Sequence, residues 1–203
     1  MNNGIVYVVD DEEPICDSIS LLLRSVGLKS EAYTDPAAFL GKIKPDAAGC
    51  VVIDVRMPGM SGLEVQRVLN ERRSSLPLIF ITGHGDVPMA VEAMRNGAFD
   101  FLQKPFNDDD LIRRVQRALE QDSVDRARLA QTEDIRRRWD SLTEREREVA
   151  VMLVDGAANK VIALDLAISE RTVELHRARV MQKMEARSLP QLVRMAMTLQ
   201  DRG

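Results

Sequence analysis

Cysteine is nearly absent from these 203 residues: there are two, Cys16 and Cys50, both in apolar-patterned segments. Two cysteines and two scattered histidines make no zinc pattern, and buried reduced thiols are expected rather than a disulfide. Long apolar runs are absent as well. No stretch approaches the roughly 20 residues a membrane span needs. The start, Met1-Asn2-Asn3-Gly4-Ile5, lacks the basic end and long apolar core of a signal peptide, so a cytoplasmic protein with no membrane partner is expected. Nor is there an excess of positive charge. The net charge is −4, unevenly spread: residues 1–120 carry 13 basic and 18 acidic residues, residues 121–139 carry 5 and 4, and residues 140–203 carry 10 of each. The acidic first part is a poor direct partner for nucleic acid, and a neutral last part offers no simple electrostatic case for it. There is no internal repeat and no low-complexity tract.

What the chain does have, over its first 120 residues, is an alternation of strand and helix patterns. Apolar runs at Ile5–Val9, 30–33, 51–54, 78–81 and 99–102 read as strands. Between and after them come helical patterns. Pro14 sits at one helix start, Asp35-Pro36 supply a cap and first residue to the next, and Gly27 and Gly97 end two others. Five strands alternating with five helices predict an α/β domain, a doubly wound five-stranded parallel sheet. Residues 121–139 are charged, without Gly or Pro, and read as a helical linker, either separate or extending the fifth helix. Their apolar positions Val124, Leu129 and Ile135 show no heptad, so no coiled coil is expected. Residues 140–203 read as an all-α domain of four helices, at 143–154, 160–166, 170–184 and 189–199.

The chemistry collects at strand ends, where open α/β sheets place their ligand crevices. Asp54 ends the buried run Cys50-Val51-Val52-Ile53, Asp10-Asp11 end the first strand, Thr82 ends the fourth, and Lys104-Pro105 follow the fifth. Carboxylates that converge in one crevice repel each other and call for a cation, and all-oxygen ligation suits Mg²⁺. With a hydroxyl and an ammonium beside them, they form a phosphoryl site in which a carboxylate can act as nucleophile. His84, in a glycine-rich loop, reads as a loop or interface residue rather than a base.

The segments VVDDEEP, VIDVRMPGMSG, FITGHGD and FLQKPF resemble the signatures of a response-regulator receiver domain, over about residues 4–120. The resemblance implies a CheY-like, flavodoxin-like fold with Asp54 as phosphoacceptor. It implies Mg²⁺ (or Mn²⁺) held by Asp11 directly, by Asp10 mainly through water, by Asp54 and by the backbone carbonyl of Arg56. Lys104 would pair with the acyl phosphate, Thr82 would move toward it, and Phe101 would be the switch aromatic.

In the tail, Ala167-Ile168-Ser169 separate two helical patterns, a break that suits a helix-turn-helix. Val173, Val180 and Met184 share one face of the second helix, predicted to pack inward. Arg171, Glu174, Leu175, Ala178, Arg179 and Gln182 lie largely away from it. Residues 171–183 hold four Lys/Arg against one Glu. The segment LTEREREVA…GAANKVIALDLAISERTVELHRARVMQKME resembles the LuxR-type DNA-binding domain, and the whole chain resembles a NarL/FixJ-family (FixJ-type) regulator. By that resemblance Glu174, Leu175 and Ala178 would face the groove, while Lys160, Thr172, His176, Arg177, Arg179 and Lys183 would serve phosphates or packing. Leu192, Val193 and Ala196 mark a helix that is a candidate for dimerisation by the resemblance, or else one that closes the bundle core.

The function implied is a phosphorylation-dependent transcriptional regulator and not an enzyme beyond self-phosphorylation and autodephosphorylation. Its implied partners are a sensor histidine kinase, double-stranded promoter DNA, RNA polymerase and, once phosphorylated, a second copy. Other readings stay open on the residues alone. A phosphatase with an aspartyl-phosphate intermediate would want a second acid where Arg56 stands. A flavodoxin-like cofactor binder would want a phosphate loop where Glu12-Glu13-Pro14 stand. The tail could also be a protein-binding bundle.

Overall fold

A computed structural model describes residues 4–83 and 87–200; His84 lies outside the described residues. The chain divides into two compact units, Met1–Arg126 and Ala127–Gly203.

The first unit is the doubly wound sheet. Strands β1 (Ile5–Val9), β2 (Lys29–Tyr33), β3 (Gly49–Asp54), β4 (Leu78–Thr82) and β5 (Asp100–Gln103) lie in the order β2-β1-β3-β4-β5, each pair parallel. Helices α1 (Glu13–Ser25), α2 (Pro36–Lys42), α3 (Gly62–Glu71), α4 (Val87–Arg95) and α5 (Asp108–Asp140) follow the strands in turn. The pleat sends alternate residues to opposite faces. Tyr7, Val9, Val51, Ile53 and Phe80 meet Phe39, Val65, Leu69 and Ala93 on one side. Val6, Val8, Cys50, Val52 and Ile79 meet Ile19 and Leu23 of α1 and Leu111, Val115 and Leu119 of α5 on the other. Both faces are covered, which is why β3 reads as one unbroken apolar run and is buried at every residue. Capping fixes where helices begin: Asp35 accepts from the Ala37 and Ala38 amides, and Ser61 forms a capping box with Glu64.

The fifth helix does not stop at residue 119. It runs 33 residues to Asp140, so the expected linker is part of it. Its first turns bury Leu111, Val115 and Leu119 in the first unit, and its last turns bring Ile135 and Trp139 to the core of the second.

The second unit holds α6 (Glu144–Val154), α7 (Asn159–Asp165), α8 (Glu170–Lys183) and α9 (Leu189–Gln200). Val173, Val180 and Met184 are fully buried, as their shared face predicts. The turn before α8 uses Ala167 at φ 53, a left-handed conformation that nothing in an alanine announces. Leu192 and Ala196 are buried in this unit's own core, because a short helical domain needs the apolar stripe of its last helix to close itself; Val193 is half-buried and Met197 of the same helix is exposed.

Glu146 clips this unit together. Its side chain is buried, accepts from the Thr143 amide at 2.9 Å as part of a capping box, and receives the Lys183 ammonium at 2.6 Å. Lys183 also donates to the Ser141 carbonyl at 3.0 Å. The Lys183 bond first, then the Thr143 amide, hold the Glu146 carboxyl down at about 2, against an ordinary 4.5. A depressed carboxylate pKa contributes stability fully present above the unfolded value and lost as pH falls toward the folded one. Stability of the helical unit therefore declines between about pH 4.5 and 2. With Lys183 partly exposed and screened, the contribution is roughly 1–3 kcal/mol. Glu146→Gln keeps the cap but loses the charge, and it should lose about 1–2 kcal/mol near neutral pH with a flattened acid limb. The single tryptophan, Trp139, packs on this core, so its fluorescence during urea unfolding reads the change; equal acid limbs in the two proteins would refute it.

Candidate functional site

Register brings the strand ends together. Val9 of β1 pairs with Ile53 of β3, so the next residues, Asp10 and Asp54, are neighbours at the point where the sheet order reverses. Asp10 is 1% exposed and Asp54 8%. Lys104, just past β5, reaches between them: its Nζ donates to Asp54 Oδ1 at 2.8 Å and to Asp10 Oδ2 at 2.9 Å. The second oxygen of each acid is held by backbone, Asp54 Oδ2 by the Arg56 amide at 2.6 Å and Asp10 Oδ1 by the Glu12 amide at 2.9 Å. Thr82, buried at the end of β4, donates its hydroxyl to the Gly83 carbonyl at 3.0 Å. The Lys104-Pro105 peptide bond is cis.

The electrostatics follow from this geometry. Burial, the larger effect, raises the Asp54 carboxyl above its ordinary value, while Lys104 and the Arg56 amide oppose the rise. Burial lowers the Lys104 ammonium, but two carboxylates together outweigh it and leave it raised. The two shifts point in different senses because Asp54 has one cation and a neighbouring acid, whereas Lys104 has two anions. Lys104 therefore stays charged, and Asp54 is a desolvated carboxylate held by directed donors, a state suited to nucleophilic attack.

The expected cluster of three acids is looser than the sequence implies. Among the described residues no three His, Cys, Asp or Glu side chains form a group that could hold a metal by themselves. Lys104 occupies the space between the two buried acids, and Asp11 is exposed. The donor set still fits Mg²⁺ or Mn²⁺. Asp10, Asp11 and Asp54 against one Lys104 leave two negative charges, the donors are hard oxygens, and Mg²⁺ takes one or two carboxylates and keeps several waters.

Around this centre lie residues to which the sequence assigned no role. Gly62 begins α3 directly behind Asp54, and a Cβ there would stand 2.3 Å from the Asp54 carbonyl oxygen. Buried Gln66 and exposed Asn70 of α3 donate to the Ala93 and Asn96 carbonyls at the end of α4. Only a polar residue on the buried face of a helix hinted at Gln66. Phe101 points out of β5 and is 43% exposed, sharing the α4–β5 surface with exposed Val91 and Met94.

In the second unit, α8 carries Arg171, Glu174, Leu175, Ala178 and Arg179 exposed, at spacings that place them largely on one face. Leu175 is 56% exposed, an aliphatic side chain with no internal role. Lys160 on α7 is exposed too. Two of the remaining predicted contacts are already engaged. Thr172 bonds Ser169 through its hydroxyl at 2.8 Å and Arg177 donates to Asn159 of α7 at 3.3 Å, while the Nδ1 of half-buried His176 is enclosed without a hydrogen-bond partner among the described residues. Lys183 is committed to Glu146 and Ser141, so packing, not phosphate, accounts for its position.

Residues 6–116 match the family model described as response regulator receiver domain, and residues 140–196 match the one described as bacterial regulatory proteins, luxR family. The transcriptional regulatory protein FixJ of Azorhizobium caulinodans is 49% identical over 192 residues, covering 95% of this chain and 91% of that protein. The response regulator protein TodT of Pseudomonas putida is 41% identical over 198 residues, covering 98% of this chain and 87% of TodT. Among solved structures, that of the response regulator StyR has a TM-score of 0.88 at 39% identity, covering 96% of this chain and 98% of the other.

Proposed function

The chain belongs to the two-component response regulators that join a receiver domain to a luxR-family DNA-binding domain, and within that family's phosphorylation-dependent control of transcription we propose that Asp54 is the residue phosphorylated. The observation that carries this is the Lys104 ammonium seated between Asp54 and Asp10 at adjoining strand ends.

An Asp54 carboxylate oxygen attacks the phosphorus of a phosphohistidine on the sensor kinase. The new O–P bond forms as the P–N bond breaks, and the imidazole leaves with the electron pair. Lys104, already charged, turns from the carboxylates to the incoming phosphoryl oxygens, and the Arg56 amide keeps the other Asp54 oxygen in place. Asp11, Asp54, the Arg56 carbonyl and, mainly through water, Asp10 would hold Mg²⁺ or Mn²⁺, which would supply neutralisation of phosphoryl charge. Small phosphodonors are accepted in the same way, and water attacking the acyl phosphate gives autodephosphorylation.

Thr82 then leaves the Gly83 carbonyl for a phosphoryl oxygen. Phe101, exposed here, turns into the space Thr82 vacates. The α4–β5 surface bearing Val91, Met94 and Phe101 changes shape and supports a homodimer. Moving such a switch from 1:99 to 99:1 takes about 5.5 kcal/mol of differential interaction, which several charge-assisted hydrogen bonds supply. The helical unit binds promoter DNA with α8 in the major groove and engages RNA polymerase there. The protein works in the cytoplasm, in keeping with two buried free thiols.

The test is to treat the full chain with a small phosphodonor and Mg²⁺ and follow mass, oligomeric state and affinity for duplexes selected from a random library. A phosphorylated protein with unchanged DNA affinity would sink the switch. On the DNA side, Glu174→Ala and Leu175→Ala should each alter preference at one or two base pairs by about 1–3 kcal/mol. Arg179→Ala should instead weaken all sequences alike and reduce the salt slope by about 1. Binding curves for a panel of mutated sites at two salt concentrations separate the two patterns, and a base-specific effect of Arg179→Ala would move it from phosphate to base.

A further inference from the structure

Past Leu119, α5 has no further apolar side chain in the first unit's core, yet the helix remains attached there. Asp122, three residues on from Leu119 and on the same face, is 3% exposed and accepts a 3.0 Å bond from the Gly49 amide through Oδ2. One turn later Arg126 donates to the carbonyls of Asp46 at 2.5 Å and Ala47 at 3.0 Å. Gly49 is itself immobilised. It pairs with Ile5 in the sheet, sits at φ +141, and would drive any Cβ to 1.8 Å from the Ile5 carbonyl oxygen. The helix is thus fastened to backbone that the sheet already holds.

Apolar packing does not explain Asp122. Its Oδ1 is buried with no partner among the described residues, and burial raises its carboxyl above the ordinary value. A leucine would continue the Leu111, Val115 and Leu119 stripe without burying a carboxylate, but it would leave the Gly49 amide without its acceptor. What a carboxylate adds is direction: a hydrogen bond fixes one rotational setting of the helix, which an apolar contact does not. The bond is made at the amino end of β3, the strand whose carboxyl end carries Asp54.

We propose that Asp122 and Arg126 are positioning residues for signal transmission, a clip that sets the rotational phase of the connecting helix against the amino end of β3. A change at the strand ends then reaches the connector as displacement of a held helix and is not dissipated by fraying. The proposal rests on the phosphorylation switch described above.

The experiment compares the full-length wild type with Asp122→Leu, Arg126→Ala and the conservative Asp122→Asn. It reads amide hydrogen exchange, the rate of phosphoryl uptake from a small phosphodonor with Mg²⁺, and DNA affinity before and after uptake. Asp122→Leu and Arg126→Ala should speed exchange at residues 121–130, leave uptake unchanged, and cut the phosphorylation-dependent gain in DNA affinity by roughly tenfold. Asp122→Asn, which keeps an acceptor for Gly49, should restore the gain. Variants that gain as much as a responsive wild type would overturn the clip alone. So would lost uptake accompanied by faster exchange throughout the first unit, the mark of a merely structural role. A wild type that gains nothing would overturn the switch itself and coupling through the clip with it.

Discussion

Asp54→Asn should give a folded protein that takes up no phosphoryl group and whose DNA affinity ignores the phosphodonor. The amide has the shape of the carboxylate, so the Arg56 amide, 2.6 Å from Oδ2, keeps an acceptor there. It lacks the anionic oxygen that forms the bond to phosphorus. Loss of fold is not the expected cause. The Asp54 pKa is raised in the folded state, chiefly by burial. For a carboxylate this means that the ionised form opposes folding, so stability from this group is gained as pH falls through the raised value. A neutral residue at position 54 avoids that opposition. Intact mass after phosphodonor treatment checks uptake, and circular dichroism checks the fold. A phosphoryl mass gain in the variant equal to that of wild type would remove Asp54 from the role.

Lys104→Ala carries the second large effect. Lys104 gives both buried acids a cation at hydrogen-bond distance. Without it Asp10 and Asp54 face each other in a desolvated crevice, and the two influences that raise Asp54, burial and Asp10, act with less opposition. Charge on the phosphoryl oxygens also loses its fixed counterion. Removal of one directed donor to developing charge commonly costs about 10²–10³ in rate, and uptake should fall by that order. The pH profile carries the sign. Uptake needs ionised Asp54, so in wild type it declines as pH falls through the raised pKa, and in the variant that decline should begin at higher pH. Lys104→Arg should not rescue, because a planar guanidinium cannot place a single point charge between two carboxylates 2.8 and 2.9 Å away. Initial rates of uptake across pH settle both points; an unmoved acid limb would mean that Lys104 does not hold Asp54 in its ionised form.

Much of this protein follows from local pattern. An unbroken apolar run closed by Asp54, repeated in β1 and β4, already implies strands buried on both faces, and strand ends carrying Asp10, Thr82 and Lys104 imply the crevice. Parallel order makes those ends neighbours whatever the loops do. The face of Val173, Val180 and Met184 follows from the helical repeat in the same way. These features rest on periodicities of 2 and 3.6 residues, which a linear chain displays directly.

Partnership between residues far apart in the chain is not displayed there. Which cation sits between Asp10 and Asp54, whether Asp11 joins them, and whether Lys183 meets phosphate or Glu146 depend on distances of a few ångströms between separate elements. Leu192 and Ala196 show the same limit: an apolar stripe states that a helix face is covered, not what covers it. Asp122 is the extreme case, an ordinary acid in a charged helix until folding carries it to an amide 73 residues away. By itself the sequence determined the two folds, the crevice and the exposed face of α8, because each is written in local spacing. Only the tertiary structure decided which charges are paired, which are buried and where the connecting helix is held, because burial and pairing arise when distant segments exclude water together.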